Sequence, residues 1–574
     1  MLDALPGGLR SFLILTRHFY RRLFLNETMG FEEEMKLKLI AIGALVSGLA
    51  GFAAHGLLFK YLFVPDVGQS WLEKAYFLTL LMSLTGFLVV LEWDALFLDR
   101  EDFQNLMPLP IRPRALFWSK LASLVLLVGL FTLMANALAV FAFAVTLPQW
   151  QPEGFLFSIR LVAVHLLSSL AAALFMFLAL VVLIGILMII LRPRLFRWAS
   201  IALRFLLMVF FSLFLLSMIS DTLGVPRMLD FLKGLAERAS DAVFWFPPLW
   251  FTGLYERGLG SDDPLFAALA SHGLLALAGC LAGFWLIFAA GYRRQTVKAS
   301  EVSVRRPLLE RPRSLLTRAF CAAVLRHPVE RAVFFFFGRT MARSARHKWR
   351  AASLMAVPTA LVLVILSWAR ARAGGAPSAA GGPLLAAPMI VVLFLLAGMR
   401  AMAASPVAPE ANWIFRLTEG PEAGPYIAGL KKAVFWLGLM PLFTAVFVVS
   451  WLSWGIATAA LHALFGLSVA AVLEEVAFFR FSKIPFACAS LPGKERLQFL
   501  WFVYLGLYLI FVSLVGRLEA SLLRNPKNFA FFFFATAVLL FLIRLENRSS
   551  VYPRTRLVFE ESSEPTFISI KPAP

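Results

Sequence analysis

The chain has 574 residues, of which 60% are hydrophobic and 15% are charged, and its formal net charge is +20. Soluble domains carry roughly 25% charged and 45–50% apolar residues, so this composition excludes a soluble multidomain protein. The apolar residues stand in blocks of about 20, the length that a helix needs to cross a hydrocarbon core, without the short alternating segments of a membrane β-barrel. We therefore predict an all-α, polytopic transmembrane helical bundle of about 12 spans, arranged as two six-span halves.

The apolar blocks place the predicted spans along the chain. The first half has spans at 37–59, 75–93, 121–146, 161–191, 198–219 and 264–291. The second half has spans at 351–369, 383–402, 433–451, 454–473, 499–516 and 528–545. The chain then divides into an N-terminal arm (1–36), a first half (37–291), a basic linker (292–350), a second half (351–545) and a tail (546–574). The block at 161–191 is longer than a perpendicular span, so we expect its helix to tilt or to project from the bilayer.

The N-terminal arm contains an amphipathic pattern over residues 9–24. At 100° per residue its charged and apolar side chains fall on opposite faces, Arg10, Arg17 and Arg21 on one and Phe12, Leu15, Phe19 and Leu23 on the other. The pattern predicts a helix lying in the membrane surface, and the alternative is a disordered basic arm. Because arginines interrupt its apolar stretch, we expect no cleavable signal peptide, and the first span would target the chain to the membrane.

Lys and Arg residues concentrate in alternate connecting segments, most densely in the linker at 292–350. With the N-terminus inside, nearly all of the net charge falls on the cytoplasmic side, as the positive-inside rule requires. We therefore predict a multi-pass protein of the cell inner (plasma) membrane with cytoplasmic N- and C-termini. Membrane sidedness and anionic lipid explain the basic charge, so the lipid bilayer is an expected partner and nucleic acid is not.

The longest segment predicted to lie outside is 220–263, with the aromatic run FWFPPLWFTGLYERG at 244–258. Its candidate residues are Trp245, Trp250, Phe251 and Tyr255. Two interpretations are open. The residues suit an aromatic belt at the outer interface, or a re-entrant segment that gates the exit path of a substrate.

Ionisable side chains are scarce inside the predicted spans. Four carboxylates lie at span ends and four histidines lie within spans without an acidic partner, namely Glu92, Asp94, Glu474 and Glu475, and His55, His165, His272 and His462. Two roles are open for the histidines. They are either hydrogen-bonded packing residues, or proton relays or ligands. Because ion-driven carriers usually keep carboxylates at mid-membrane, this scarcity counts against a proton-driven antiporter.

Signatures of catalysis and cofactor binding are missing from the sequence. The nucleotide-binding pattern GxxxxGK[ST] is absent, since LPGKER at 491–496 lacks the first glycine and the hydroxyl. HExxH and GxSxG are absent too, and Cys280, Cys321 and Cys488 are too widely spaced for a zinc site or a disulfide framework. The acidic run at 99–103 fits a solvated charge run better than a metal site. We expect no enzyme activity, metal or cofactor on this chain, so any ATP would bind a partner subunit.

The two halves align as a repeat at an offset of 311 residues. The matching pairs are Asp99 with Glu410, Leu106 with Leu417, Pro110 with Pro421 and Lys120 with Lys431. Four matches can arise by chance, but both segments join the second and third spans of their half. We therefore predict an internal repeat.

An acidic cluster, a Leu-Pro-Ile turn, basic residues and a Lys at the next span follow one another at 99–121. They are Asp99, Glu101, Asp102, Leu109, Pro110, Ile111, Arg112, Arg114 and Lys120. This succession resembles the cytoplasmic loop of ABC-2 type transporter permeases, the membrane-spanning subunits of ABC exporters. The resemblance implies a coupling helix that docks on a separate nucleotide-binding ATPase subunit, an interfacial helix before a six-span unit, and short re-entrant helices before the sixth span. It also implies export by alternating access. The second half departs from the pattern, since its turn LTEGPEAGP at 417–425 lacks the Leu-Pro-Ile core.

Several interpretations stay open at this point. Arg112 and Arg114 are suited to contact acidic residues of an ATPase. Alternatively, they are cytoplasmic anchors, which the positive-inside rule alone predicts. Two other functions are a twelve-span secondary carrier that works without an ATPase, and a membrane-embedded lipid-modifying enzyme with a polar cluster around His165 or His272. The substrate is unidentified, since spans containing many of the 57 phenylalanines suit a lipid or amphipathic substrate or simply contact with membrane lipid.

Overall fold

A computed structural model describes residues 7–24, 46–48, 51, 70–93, 106, 113–147, 155–222, 228–237, 241–300, 315–372, 382–405, 423–479, 481–486, 497–552 and 557. Within these ranges the chain is almost entirely helical. Eleven of the described helical segments are long and apolar enough to cross a membrane, and each coincides with one of the predicted spans. The remaining predicted span, 37–59, lies outside the described residues except for 46–48 and 51. The chain is an all-α, multi-pass membrane protein, as predicted.

Residue contacts divide the chain into two compact units, Met1–Arg305 and Arg306–Pro574. The boundary falls inside the predicted linker, 292–350. The later part of that linker forms two helices whose apolar side chains, such as Phe334 and Phe337, pack in the core of the second unit. Structurally, these helices belong to the second unit.

The first unit contains a series of helices whose order follows the predicted spans. They are α1 (Gly7–Phe24), α2 (Ser70–Leu91), α3 (Pro113–Thr146), α4 (Phe155–Ile190), α5 (Pro193–Thr222), α6 (Met228–Glu237), α7 (Pro247–Leu259) and α8 (Pro264–Ser300), with a 3₁₀ turn at Asp241–Trp245. Half of these helices begin at a proline. Proline suits the first helical position, because its missing N–H would have no partner there and its φ is already helical.

Helix α2 lies at the centre of the first unit. It packs against α4, α5 and α7, and Ala75, Leu78 and Leu81 are completely buried. The residues of α2 are apolar on nearly every face, as expected for a helix enclosed by others. Gly86 lets α5 approach closely, since a Cβ at this position would overlap the ring of Phe211.

Helix α4 is longer than a perpendicular span. Its 36 residues extend for about 54 Å at 1.5 Å per residue, compared with roughly 30 Å for a hydrocarbon core. The helix therefore has the excess length that the sequence predicted, and it must tilt within the bilayer or project from it.

The second unit contains a comparable series of helices. They are α9 (Leu315–Val324), α10 (Pro328–Arg343), α11 (Ala345–Arg372), α12 (Gly382–Ala404), α13 (Gly424–Trp454), α14 (Ile456–Ala477), α15 (Leu497–Arg524) and α16 (Asn528–Glu546). Helix α13 contains a π turn at Phe435–Leu439. Pro441 follows within the helix and cannot donate an N–H, so the widened turn lies where the α-helical bonding is interrupted.

The two units share an order of helix contacts. Helix α1 packs on α3 as α10 packs on α13, and α2 contacts α4 and α5 as α12 contacts α14 and α15. Helices α3 and α13 begin at Pro113 and Gly424, which are separated by the offset of the aligned segments. The units differ before the last helix, because α6 and α7 separate α5 from α8, whereas residues 525–527 alone join α15 to α16. The shared order agrees with the predicted repeat.

Candidate functional site

Most of the predicted coupling segment lies outside the described residues. This applies to Asp99, Glu101, Asp102, Leu109, Pro110, Ile111 and Arg112, and to Glu410, Leu417 and Pro421 of the second half. The described members are Arg114, in the first turn of α3, and the paired lysines Lys120 and Lys431. Both lysines are buried near the start of corresponding helices.

Lys120 lies where α1 crosses the start of α3. Its Nζ is 5.6 Å from the centre of the Phe19 ring, and the Ser119 hydroxyl donates to the Phe12 carbonyl oxygen at 3.3 Å. Leu15, Phe19 and Leu116 form a small buried cluster at the same place. The apolar face predicted for 9–24 is thus partly used against α3, and the predicted helix is present.

The second unit has an equivalent contact between α10 and α13. The Lys432 ammonium donates to the Glu330 carboxylate and to the Val324 carbonyl oxygen, the latter at 2.8 Å. The two helices touch closely at Gly429, where a Cβ would lie 2.7 Å from the Glu330 carbonyl oxygen. In both units, a basic residue in the first turns of α3 or α13 therefore contacts an amphipathic helix, α1 or α10.

Lys431 belongs to a polar cluster centred on Glu475. Its Nζ lies 2.6 Å from Oε2 of Glu475 and 3.2 Å from the Tyr552 hydroxyl. The same carboxylate accepts from Arg544 Nε at 3.0 Å and from Asn547 Nδ2 at 3.2 Å. This Glu475 cluster joins α13, α14 and the end of α16. The sequence placed Glu475 at a span end, which the structure confirms, but did not indicate these partners.

Short helices fill the segment before the last helix of the first unit. Helix α7 packs against α2, α4 and α8. Of the four predicted gate residues, Phe251 and Tyr255 are fully buried, Trp250 is partly buried, and Trp245 is 85% exposed. The Trp250 Nε1–H donates to the Phe244 carbonyl oxygen at 2.8 Å, which fixes the chain before α7. Three of the four residues therefore pack in the bundle as a re-entrant segment would, and Trp245 does not.

A polar cluster joins α7 to α2 and α4. Lys74 Nζ and Glu256 Oε1 are 2.6 Å apart, and Lys74 also lies 5.0 Å from the centre of the Tyr255 ring. The Tyr255 hydroxyl lies 3.1 Å from Nδ1 of His165, and the imidazole also packs against the ring of Phe77 at 4.9 Å. Burial, together with the neighbouring Glu256 carboxylate, raises the pKa of the Tyr255 phenol well above its usual value. The Tyr255 phenol therefore stays neutral at physiological pH.

A second buried pair lies in the second unit. His462 Nδ1 and Glu519 Oε1 are 2.6 Å apart between α14 and α15, and both side chains are buried. The expectation that the span histidines lack acidic partners is wrong for His462, because α15 continues to Arg524 and carries Glu519 into the bundle. Glu519 is a buried carboxylate that the predicted span, which ended at 516, did not include. His272 is exposed, and His55 lies outside the described residues.

His165 and His462 occupy corresponding helices, α4 and α14, and both have a polar partner from a later helix. Sequence reasoning missed Lys74, Glu256 and Glu519. Lys74 stands at the edge of an apolar block and resembles an interface anchor, and no local pattern connects it to a residue 182 positions away. The two histidines were visible in the sequence, but their partners were not.

Among the described residues, no group of three or more His, Cys, Asp or Glu side chains could hold a metal ion. Cys280 and Cys321 are free thiols, and Cys488 lies outside the described ranges. Comparison with protein-family models, curated proteins and solved structures finds no match for this chain.

Proposed function

We propose that this chain is the membrane-spanning permease subunit of an ATP-driven exporter of the ABC-2 type. A separate nucleotide-binding ATPase supplies the energy, and the chain moves its substrate by alternating access. The observation that carries the proposal is the contact of α1 with the start of α3, directly after the segment 99–114 that resembles a coupling helix.

The packing of the first unit supplies a route from that segment to the aromatic residues of α7. Movement of 99–114 would shift α3 and α1 together, because Phe19, Leu116 and Lys120 hold them in contact. Helix α4 packs on α3 along one side and on α7 along another. Phe175 of α4 lies 5.4 Å from Phe251, ring centre to ring centre. A displaced α3 would therefore reach the proposed outer gate through a single helix.

The second unit supports a permease made of two units on one chain. Its α10–α13 contact, through Glu330 and Lys432, repeats the place of the α1–α3 contact. Two such units would form a complete pathway without a second copy of the chain. The segment around 410–426 would then be the second contact with the ATPase pair.

The proposal places the chain in the cell inner membrane with both termini in the cytoplasm, because the Lys- and Arg-rich connections then face the ATPase. The substrate class that fits the apolar, Phe-rich spans is a lipid or another amphipathic molecule. Such a substrate could pass along a route that is lined mainly by apolar side chains.

Copurification from native membranes tests the proposal. We expect an ATPase subunit to copurify with the chain and to hydrolyse ATP in the complex. The double variant Arg112→Glu, Arg114→Glu should lose this subunit, because it reverses the charge of the coupling segment. Arg192→Glu, Arg194→Glu makes the same charge change where α4 is followed by α5, and this variant should retain the ATPase subunit. Absence of any ATPase subunit from the native complex would contradict the proposal.

The His462–Glu519 pair favours a second candidate, an ion-coupled secondary carrier. Carriers of that class keep ionisable groups inside the bundle, and this pair is buried there. The purified chain alone would then transport in vesicles under an imposed ion gradient, and Glu519→Gln would abolish this transport. Transport that needs ATP and a second subunit would exclude the carrier.

A further inference from the structure

Helix α10 has two distinct faces. Val333, Phe334 and Phe337 are buried in the core of the second unit. Arg331, Arg339 and Arg343 are exposed, and they fall within about 120° of one another at 100° per residue. The helix therefore packs by one side and presents a row of guanidinium groups on another, which we call the arginine face.

A half-open pocket of about 520 Å³ runs along the arginine face, and its lining residues all belong to α10. The three arginines, Phe335, Phe336 and Thr340 are among its lining residues. The Arg339 guanidinium lies 6.0 Å from the centre of the Phe335 ring. The cavity thus combines several N–H donors and one hydroxyl with two aromatic walls.

No carboxylate neutralises this face among the described residues. Glu330 is the only acidic residue in the sequence from 315 to 372, and its carboxylate is bound by Lys432 of α13. None of Arg331, Arg339 and Arg343 forms an ion pair with a described acidic side chain. The arginine face is therefore suited to an anionic ligand, since no described acidic residue of this unit neutralises it.

The chain fixes the depth of the arginine face relative to the membrane. Ser344 alone separates α10 from α11, and the apolar span within α11 begins at His347. Arg343 is therefore four residues from the start of this candidate span, close to the level of lipid headgroups. Guanidinium groups bind phosphate oxygens in a bidentate manner, and basic pockets beside membrane helices bind anionic headgroups.

From these observations we infer that the arginine face of α10 is a binding site for an anionic phospholipid. Arg339 and Arg343, one helical turn apart, hold the headgroup phosphate, and Arg331 adds positive charge at the other end of the face. Phe335 and Phe336 contact the glycerol and the first part of the acyl chains. The site requires only that α11 crosses a membrane, so it stands independently of the transport activity proposed above.

Lipid binding to the purified full-length chain tests the inference. Native mass spectrometry in a neutral detergent would compare phosphatidylglycerol with phosphatidylcholine. The wild type should prefer phosphatidylglycerol, and the triple variant Arg331→Gln, Arg339→Gln, Arg343→Gln should bind it about 100-fold more weakly, since three charges are lost. If the triple variant does not fold, Arg339→Gln alone should weaken binding about 5-fold.

A matched control removes the same charge elsewhere in the unit. Arg517→Gln, Arg524→Gln, Lys527→Gln changes three exposed basic residues at the end of α15. Five candidate spans run from His347 to Arg524, so Arg524 and Lys527 lie on the opposite side of the membrane from Arg343, and Arg517 lies two turns before that end of the last span. This control should keep the affinity of the wild type for phosphatidylglycerol.

Three outcomes would overturn the inference. Equal binding of phosphatidylglycerol and phosphatidylcholine by the wild type would show that charge is not recognised. Displacement of the lipid by glycerol 3-phosphate at equal concentration would point to a soluble phosphate compound. Loss of a copurifying acidic protein from the triple variant, with its lipid binding unchanged, would assign the arginine face to a protein partner.

Discussion

Nδ1 of His462 lies 2.6 Å from Oε1 of Glu519, and both side chains are buried where α14 meets α15. The ring of Trp454 packs nearly perpendicular to the imidazole, with 5.5 Å between ring centres. A carboxyl group in an apolar interior is unfavourable unless it is hydrogen-bonded. Each partner therefore depends on the other, and the pair fixes the two helices at this level of the bundle.

Glu519→Ala should destabilise the protein by about 3 kcal/mol, because it leaves buried His462 without its partner. Glu519→Gln keeps the volume and one hydrogen-bond acceptor, so its effect should be smaller. The measurement is the midpoint of thermal unfolding of the purified protein in detergent. Glu546→Ala, at the exposed end of α16, is the matched control and should change the free energy of unfolding by no more than about 0.5 kcal/mol. Equal midpoints for the two alanine variants would contradict the assigned role of the pair.

The Glu475 cluster should respond unequally to the loss of its members. Glu475→Leu removes the carboxylate from buried Lys431 and should cost about 3 kcal/mol. Arg544→Leu removes a guanidinium that is 58% exposed, so solvent screening should limit its cost to about 1 kcal/mol or less. The double variant Lys431→Met, Glu475→Leu should lose less stability than the sum of the single variants. Strict additivity in thermal unfolding would show that the two side chains do not interact.

The positions of the spans were predictable because hydropathy is summed over about 20 residues and tolerates single exceptions. The predicted spans for α3 and α13 began at 121 and 433, whereas the helices begin at Pro113 and Gly424. Pro113 and Pro425, which suit a first helical turn, are the local signals for these earlier starts. The end of α15 was not. Arg517 and Glu519 interrupt the apolar block, so the predicted span stopped at 516, whereas the helix continues to Arg524.

Partners across the bundle were the least predictable feature. Glu519 is tolerated inside α15 only because His462 meets it, and these residues are separated by 57 positions. Lys74 and Glu256 form a similar pair from α2 and α7. A hydropathy pattern records what each segment contains, whereas these pairs depend on which helices become neighbours. The polar part of the candidate site therefore required the structure.

Gly429 and Gly506 should respond in opposite directions to alanine. A Cβ at Gly429 would lie 2.7 Å from the Glu330 carbonyl oxygen and 2.9 Å from its Cα, so Gly429→Ala forces α10 away from α13. Nothing lies within 4 Å of a Cβ built at Gly506, so Gly506→Ala should stabilise α15 by about 0.5–1 kcal/mol. Thermal unfolding of both variants measures the difference. A stabilising effect of Gly429→Ala would show that the two helices are not in tight contact.

Tyr255 makes stability depend on pH in the alkaline range. Because burial raises the pKa of the Tyr255 phenol well above its usual value of about 10, the folded state holds this proton more tightly than the unfolded state. The resulting stabilisation is complete below about pH 10 and is lost as the pH rises further. The unfolding midpoint of the wild type should therefore fall more steeply than that of Tyr255→Phe above about pH 10. Parallel profiles for the two proteins would contradict the burial of a neutral phenol.

Cysteine labelling tests the predicted orientation across a single span. Ser303 precedes α9 and Ser378 follows α11, so the span within α11 lies between them in the sequence. In a chain with Cys280, Cys321 and Cys488 replaced by alanine, we expect an impermeant maleimide to label Ser378→Cys in intact cells. The same reagent should reach Ser303→Cys only in inside-out vesicles, because the basic linker is predicted to be cytoplasmic. The reverse pattern would invert the orientation and remove the proposed ATPase contact, while labelling of both positions from one side would show that α11 does not cross.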